Sequence, residues 1–305
     1  MKNILVLTRV TDHHKNLLEQ SLPDAVFTYA APKQVTDEQL SKANIILGNP
    51  KPEQLHSLTN LTLLQLHTAG SEQYEKEGIL PPNCRLCSAS GAYGPAVSEH
   101  MLALTLSLCK KLHRYRDNQQ QNLWKDEGEV LSISELSILV IGAGDIGKHY
   151  ARMCKALGAY TVGIRRKASE PSSEFDELLA AEQLDFALPR ADVVAMALPY
   201  TAQTHHFLDE RRLKLMKPGA LLINGGRGKT LDQQAALEAL RSGRLGGIAT
   251  DVCVPEPLPP ESPLWQEKDF ILTPHIAGLF HLPKTLDLVV DLAIRNIKRY
   301  SEESH

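Results

Sequence analysis

Leu136-Ser-Ile-Leu-Val-Ile-Gly-Ala-Gly-Asp-Ile-Gly147 sets a short apolar run against the pattern Gly142-x-Gly144-x-x-Gly147. A triple glycine alone is weak evidence, so its surroundings decide its meaning. An apolar strand precedes it, a helix over 146–157 follows, and a second strand, Tyr160–Ile164, closes the unit. That order suits a dinucleotide pyrophosphate. Gly142 permits a tight strand-to-helix turn, Gly144 lets backbone amides approach the phosphates, and Gly147 lets the helix pack closely on its strand. The helix N-terminus then faces the negative charge. Gly142, Gly144, Asp145, Ile146 and Gly147 are therefore the expected cofactor turn.

Working outward, the stretch from Ser137 alternates strands near 138–141, 160–164, 192–197, 220–223, 245–250 and 270–272 with helices. Six strands fit a doubly wound sheet. Upstream, apolar runs at 4–8, 25–30, 44–47, 62–66 and 85–88 alternate with helix-compatible segments such as Thr11–Gln20 and Thr36–Ala43. Such alternation means parallel strands with crossover helices. Between the two regions, Pro95 opens a long amphipathic stretch, Ala96–Arg116, read as one rigid connecting helix. A last amphipathic helix, roughly Pro283–Tyr300, has no sheet of its own and is expected to return to the N-terminal domain. The fold class is α/β with two doubly wound parallel-sheet domains, a Rossmann cofactor domain (98–278) inserted in a flavodoxin-like substrate domain (1–97 and 279–305).

A chain of 305 residues, 43% hydrophobic, has material for two cores. The formal net charge of -3, with no Lys/Arg-rich run, argues against nucleic acid as a partner. No segment approaches the ~20 apolar residues of a membrane span, and the N-terminal apolar run is too short for a signal peptide. A cytoplasmic protein is expected. Five scattered cysteines argue against a disulfide framework. Cys84-Arg-Leu-Cys87 lacks a second ligand pair and, in a regular strand, points its thiols to opposite faces; no metal is expected there or at His13-His14 and His205-His206.

Three segments place chemical groups just after strands of the second domain, the edge at which open α/β sheets bind ligands. They are Asn224-Gly-Gly-Arg-Gly228, Asp251-Val-Cys-Val-Pro-Glu256 and Thr273-Pro-His-Ile-Ala-Gly278. Singly, Arg227, Glu256 and His275 read as ordinary loop residues. Together, in this order after strands, they read as a site.

With these segments in view, the chain resembles the D-isomer-specific 2-hydroxyacid dehydrogenase family, which includes glyoxylate/hydroxypyruvate reductases. The likeness is strongest from Ser88 to Gly278. It runs through Gly-Ala-Tyr-Gly-Pro-Ala-Val-Ser-Glu-His (91–100), the glycine turn, Leu-Pro-Tyr-Thr-Ala-Gln-Thr (198–204), Ile-Asn-Gly-Gly-Arg-Gly (223–228), Asp-Val-x-x-x-Glu-Pro-Leu-Pro (251–259) and Thr-Pro-His-Ile-Ala-Gly (273–278). The resemblance implies that Arg227, Glu256 and His275 are catalytic, with Asp251 a supporting acid. It implies that Ala69-Gly70 forms a substrate-binding loop, joined by Arg227 and His275. It also implies further cofactor contacts from Leu198, Pro199, Thr204, Gly226, Asp251, His275 and Gly278, and a homodimer.

Reduction of a 2-oxo acid needs a proton for the ketone oxygen and a cation for the carboxylate. Histidine titrates near working pH, so His275 suits the first task. Glu256 beside it is expected to favour the imidazolium and fix the ring. The Arg227 fork can grip carboxylate and ketone oxygens together, as a lysine could not. By resemblance, backbone amides around Ala69 to Ser71 hold the carboxylate from the other domain. Tyr93, Tyr74, Phe280 and Trp265 are candidates for shaping the substrate pocket, and glyoxylate, hydroxypyruvate, pyruvate and branched 2-oxo acids all stay open.

Cofactor choice is read from the strand after the glycine turn. An NAD site ends that strand in Asp or Glu to hold the ribose 2′-hydroxyl. Here Tyr160-Thr-Val-Gly-Ile164 runs into Arg165-Arg166-Lys167. NADP(H) is therefore expected to be preferred, through Arg165 and Arg166, with NAD(H) possible. The expected function is an NADP(H)-linked oxidoreductase acting mainly as a 2-oxo acid reductase. The alternative is a dinucleotide-sensing protein without turnover, like the corepressors that resemble this family.

Overall fold

The computed structural model describes residues 2–167 and 172–303. The chain forms two compact units, one running to Tyr93 and resuming at Leu279, the other Gly94–Gly278. The division falls at Tyr93/Gly94, ahead of the expected 97/98, because the chain is already helical from Gly94.

The first unit opens with β1 (Lys2–Val6), α1 (Asp12–Ser21), β2 (Ala25–Tyr29), α2 (Asp37–Lys42), β3 (Ile45–Leu47), β4 (Leu63–Gln65) and β5 (Arg85–Cys87). Both helices start at threonine caps: Thr11 and Thr36 accept the backbone amides of His14 and Gln39. Such a cap contributes about 1 kcal/mol to the helix. The five strands pair in parallel in the order β2-β1-β3-β4-β5, the flavodoxin-like arrangement. Alternate side chains feed two cores. Ile4, Val6 and Ile45 pack under the C-terminal helix Pro283–Glu303 through Leu286, Val290 and Ile297. Leu5, Leu7 and Ile46 pack on the other face with Leu40, Leu55 and Tyr74. Cys84 joins the second cluster and Cys87 the first, so the two thiols lie on opposite faces. Burial pushes the Cys84 thiol up to about 11.

The second unit begins with α3 (Gly94–Cys109) and α4 (Leu112–Gln120). The expected single helix Ala96–Arg116 is thus two. Lys111, at φ 54, takes the left-handed conformation between them, which a non-glycine residue adopts at a steric cost. α3 also packs into its own unit: Val97, Met101, Thr105 and Leu108 are buried, and Met101 and Leu108 reach Gly225 and Gly247 so closely that a Cβ there would collide or crowd.

The elements β6 (Ser137–Ile141), α5 (Asp145–Ala156), β7 (Tyr160–Arg165), β8 (Glu177–Ala180), α6 (Leu184–Ala187), β9 (Val193–Met196), α7 (Glu210–Leu215), β10 (Ala220–Asn224), α8 (Gln233–Arg241), β11 (Leu245–Thr250) and β12 (Phe270–Leu272) follow. They form a seven-stranded parallel sheet, β12-β11-β10-β9-β6-β7-β8. Its centre, β6 and β9, is nearly continuous buried aliphatic sequence, as expected of strands covered on both faces. The expected count of six strands omits β8. Glu-Leu-Leu-Ala has the composition of a helix, but this edge segment pairs with β7 from Val162↔Glu177 to Arg165↔Ala180, and pairing overrides propensity. The strand order reverses between β6 and β9, so ligand-binding loops are expected above that point. No helix among the described residues is long and apolar enough to cross a membrane.

Candidate active site

The glycine turn sits at that switch point. The Gly142 and Ala143 amides both donate to Ile164 O, at 3.0 and 2.9 Å, which places the turn beside the end of β7. Gly142 has φ +103, and a Cβ there would come within 2.7 Å of Ala197 O, so only glycine fits between the loops after β6 and β9. A Cβ on Gly147 would strike Gly142 O. Gly144, the N-cap of α5, is the contrast: its Cβ would meet nothing within 4 Å. Close packing beneath and open space above the first amides of α5 fit a pyrophosphate approaching the backbone. The Asp145 carboxylate is turned toward α3, where a Cβ on Gly94 would lie 2.7 Å from both its oxygens. His149 accompanies it at 3.4 Å.

The loops after β9, β10 and β11 interlock. A Cβ on Gly226 would come within 2.8 Å of Leu198 N and 2.7 Å of Leu198 O, and one on Gly228 would run into Cys253. Buried Asn224 shapes the turn that presents Arg227: its Oδ1 accepts the Gly226 amide at 3.0 Å, and its Nδ2 donates to Arg227 O at 3.3 Å. The Arg227 guanidinium donates through Nη1 to Gly226 O at 3.1 Å. Thr204 closes its own loop by donating to Pro199 O at 2.7 Å.

Glu256 bridges two segments. Its Oε1 accepts the Cys253 amide at 3.0 Å, and its Oε2 lies 2.7 Å from His275 Nδ1. Gln233, at the start of α8, exchanges two hydrogen bonds with the backbone of Val254, at 2.8 and 2.9 Å, and ties this loop down. His275 itself is left-handed, φ 53, a conformation that concentrates at functional sites. Its ring stays 46% exposed, so it can meet a ligand.

Asp251 lies beneath, 3% exposed. Its carboxylate is taken up inside the loop, by Thr273 Oγ1 at 2.6 Å and the Ile276 and Ala277 amides at 3.0 and 2.9 Å, which makes it an anchor for the His275 segment. Gly278 ends the unit.

The structure thus gathers Leu198, Gly226, Asp251, Glu256 and His275 on adjoining loops of the second unit. Ala69 and Gly70 belong to the first. Their loop, after β4, is pinned by Asn49: Oδ1 accepts the His67 amide at 3.0 Å, Nδ2 donates to Thr68 Oγ1 at 2.8 Å, and Thr68 donates on to Gly70 O at 2.9 Å. His67 Nδ1 meets Thr8 Oγ1 at 3.0 Å and its ring packs edge-on to Phe280 at 5.7 Å. Burial lowers its pKa to about 4. Asn49 and Gln233 escape sequence reading, and Asn224 enters it only as the start of the Arg227 segment, without its bracing role. The only signal for them is proximity to Gly48, to a helix start and to Gly225-Gly226, respectively.

A nucleotide-binding Rossmann unit whose loops carry Arg, Glu and His after successive strands defines a nicotinamide-dependent oxidoreductase. Residues 102–277 match the family described as D-isomer specific 2-hydroxyacid dehydrogenase, NAD binding domain. A solved D-isomer specific 2-hydroxyacid dehydrogenase family protein from Aeromonas salmonicida is 30% identical, with a TM-score of 0.84 over 99% of this chain and 96% of that one. D-lactate dehydrogenase from Aquifex aeolicus, solved with NAD and lactic acid, is 25% identical with a TM-score of 0.73, over 99% and 96%. Glyoxylate/hydroxypyruvate reductase B of Yersinia pestis is 27% identical over 73% of this chain and 69% of its own. The chain belongs to the D-isomer specific 2-hydroxyacid dehydrogenase family and is an NAD(P)-binding oxidoreductase.

Proposed function

We propose that the protein reduces small 2-oxo acids to D-2-hydroxy acids, with NADPH preferred over NADH, using His275, Glu256 and Arg227. The observation that carries this reading is the 2.7 Å contact between Glu256 Oε2 and His275 Nδ1 on an exposed, left-handed loop. The hydride for the ketone carbon would come from the nicotinamide cofactor when it is bound. The chain supplies the rest. With Nδ1 held by Glu256, Nε2 is the ring atom available to hand a proton to the ketone oxygen. The Arg227 fork binds carboxylate and carbonyl oxygens together and stabilises negative charge developing on the latter. The Ala69–Gly70 loop is a further candidate for holding substrate.

The cofactor preference rests on charge at the end of β7. Arg165 closes that strand, Arg166 and Lys167 follow, and the strand end carries no acid among the described residues. Turnover of a panel of 2-oxo acids with NADH and NADPH in parallel tests the reading. Cofactor binding with no turnover of any member would overturn it.

We further infer a two-fold homodimer built on α4 and the segment that follows it. Trp124 is fully exposed, and Leu112 and Leu123 are about half exposed, at 54% and 49%. Yet the segment is pinned to its own unit: Asn118 first, then Lys125 and Arg114, hold Glu127 at a pKa of about 2. An apolar tip on a fixed arm suits a self-complementary interface, and C2 is the commonest closed symmetry. Light scattering is expected to give twice the chain mass, falling to one for Trp124→Glu. A monomer mass for the unaltered protein at micromolar concentration would overturn it.

A further inference from the structure

The segment Gly91–His100 carries a histidine with no part so far in the chemistry. His100 lies on α3, its side chain 22% exposed, and its Nε2 sits 2.8 Å from Thr273 Oγ1 and 3.8 Å from Asp251 Oδ1. Thr273 Oγ1 in turn lies 2.6 Å from Asp251 Oδ1. A threonine hydroxyl has one proton. Given to the carboxylate, that proton leaves the hydroxyl only as an acceptor toward His100, so Nε2 must carry a proton of its own. The bonds then run one way, from His100 to Thr273 to Asp251. Asp251 holds the next three residues after Pro274: its backbone carbonyl accepts the His275 amide at 2.8 Å, and its carboxylate accepts those of Ile276 and Ala277.

We propose that His100 is a positioning residue for the reduction: its Nε2–H orients the Thr273 hydroxyl on Asp251, and through Asp251 sets the backbone that aims His275. The inference rests on His275 as the proton donor. A left-handed histidine persists only where its surroundings over-determine it. The three polar groups His100, Thr273 and Asp251 supply that constraint from beneath, while Glu256 supplies it at the ring. Small misplacement of a catalytic group costs large factors in rate.

Two measurements test this on the full chain. The first is ¹⁵N NMR of histidine-labelled protein at neutral pH, which is expected to show His100 protonated at Nε2; an Nδ1–H tautomer would overturn the proposal. The second is kinetic. His100→Leu is expected to lower kcat by about ten- to hundredfold, with the NADPH dissociation constant, read by fluorescence, and the melting temperature near those of the unaltered protein. His100→Gln restores a donor at the Nε2 position and is expected to recover most of the rate. Combining His100→Leu with Thr273→Val is expected to cost little more than the worse single change, because both break one chain. Additive losses, or a fully active His100→Leu beside an inactive His275→Gln, would overturn the inference alone. An active His275→Gln would instead overturn the reading on which it rests.

Discussion

Glu256 ties its own loop to the His275 ring: one carboxylate oxygen accepts the Cys253 amide at 3.0 Å, the other faces His275 Nδ1 at 2.7 Å. The first bond fixes the carboxylate, so the second can fix the imidazole's tautomer as well as its direction. Glu256→Gln keeps the size and an acceptor but loses the charge. It is expected to lower kcat by about 10²-fold or more, with cofactor affinity unchanged. Stopped-flow reduction at saturating NADPH checks this; an unaltered rate would leave Glu256 a loop brace.

Gly226 is a tight point of the Arg227 turn, because a Cβ there would lie within 2.8 Å of the Leu198 backbone. Backbone cannot give way as a side chain can. Gly226→Ala is expected to destabilise the second unit by roughly 1 to 3 kcal/mol and to raise the KM for cofactor. Urea unfolding followed by cofactor titration reads both. A change at Gly144, where a Cβ meets nothing within 4 Å, is expected to spare stability and cost cofactor binding alone.

His67 gives the first unit a pH dependence. Burial depresses its pKa from 6.5 to about 4 in the folded chain. Between these values the unfolded chain binds more protons than the folded one, so stability rises with pH across the window and is lost as pH falls from 6.5 toward 4. The full loss is about 3 kcal/mol at most. His67→Gln cannot titrate and is expected to show a shallower fall in urea midpoint over that range. Identical slopes for the two proteins would contradict this.

Much of this architecture is legible because parallel strands buried on both faces read as short aliphatic runs, as in Val193–Met196 and Ala220–Asn224. The misses have physical causes. The edge strand Glu177–Ala180 is held by its partner rather than by composition, and the break at Lys111 uses a left-handed lysine where sequence signals rely on glycine. In the site, the residue types Arg227, Glu256 and His275 stand out because each follows a strand. Their supports do not. Thr273 meets Asp251 across 22 positions and His100 meets Thr273 across 173, and no spacing rule connects residues so far apart.

The proposed preference for NADPH rests on what stands at the end of β7. The Gly142 and Ala143 amides bond to Ile164 O, so Arg165 begins one residue beyond the carbonyl that anchors the cofactor turn. A 2′-phosphate there would meet Arg165 and its cationic neighbours, whereas an acid at this point would repel it. One charge-assisted hydrogen bond is worth about 1.5 to 3 kcal/mol, which corresponds to roughly a ten- to hundredfold preference for NADPH in kcat/KM. Arg165→Asp is expected to erode or reverse that ratio while leaving the NADH rate close to its original value, because the ribose 2′-hydroxyl gains an acceptor. Salt separates charge from shape: raising ionic strength is expected to weaken NADPH binding more than NADH binding. Equal or better kcat/KM with NADH in the unaltered protein would refute the assignment without touching the proton-transfer chemistry at His275.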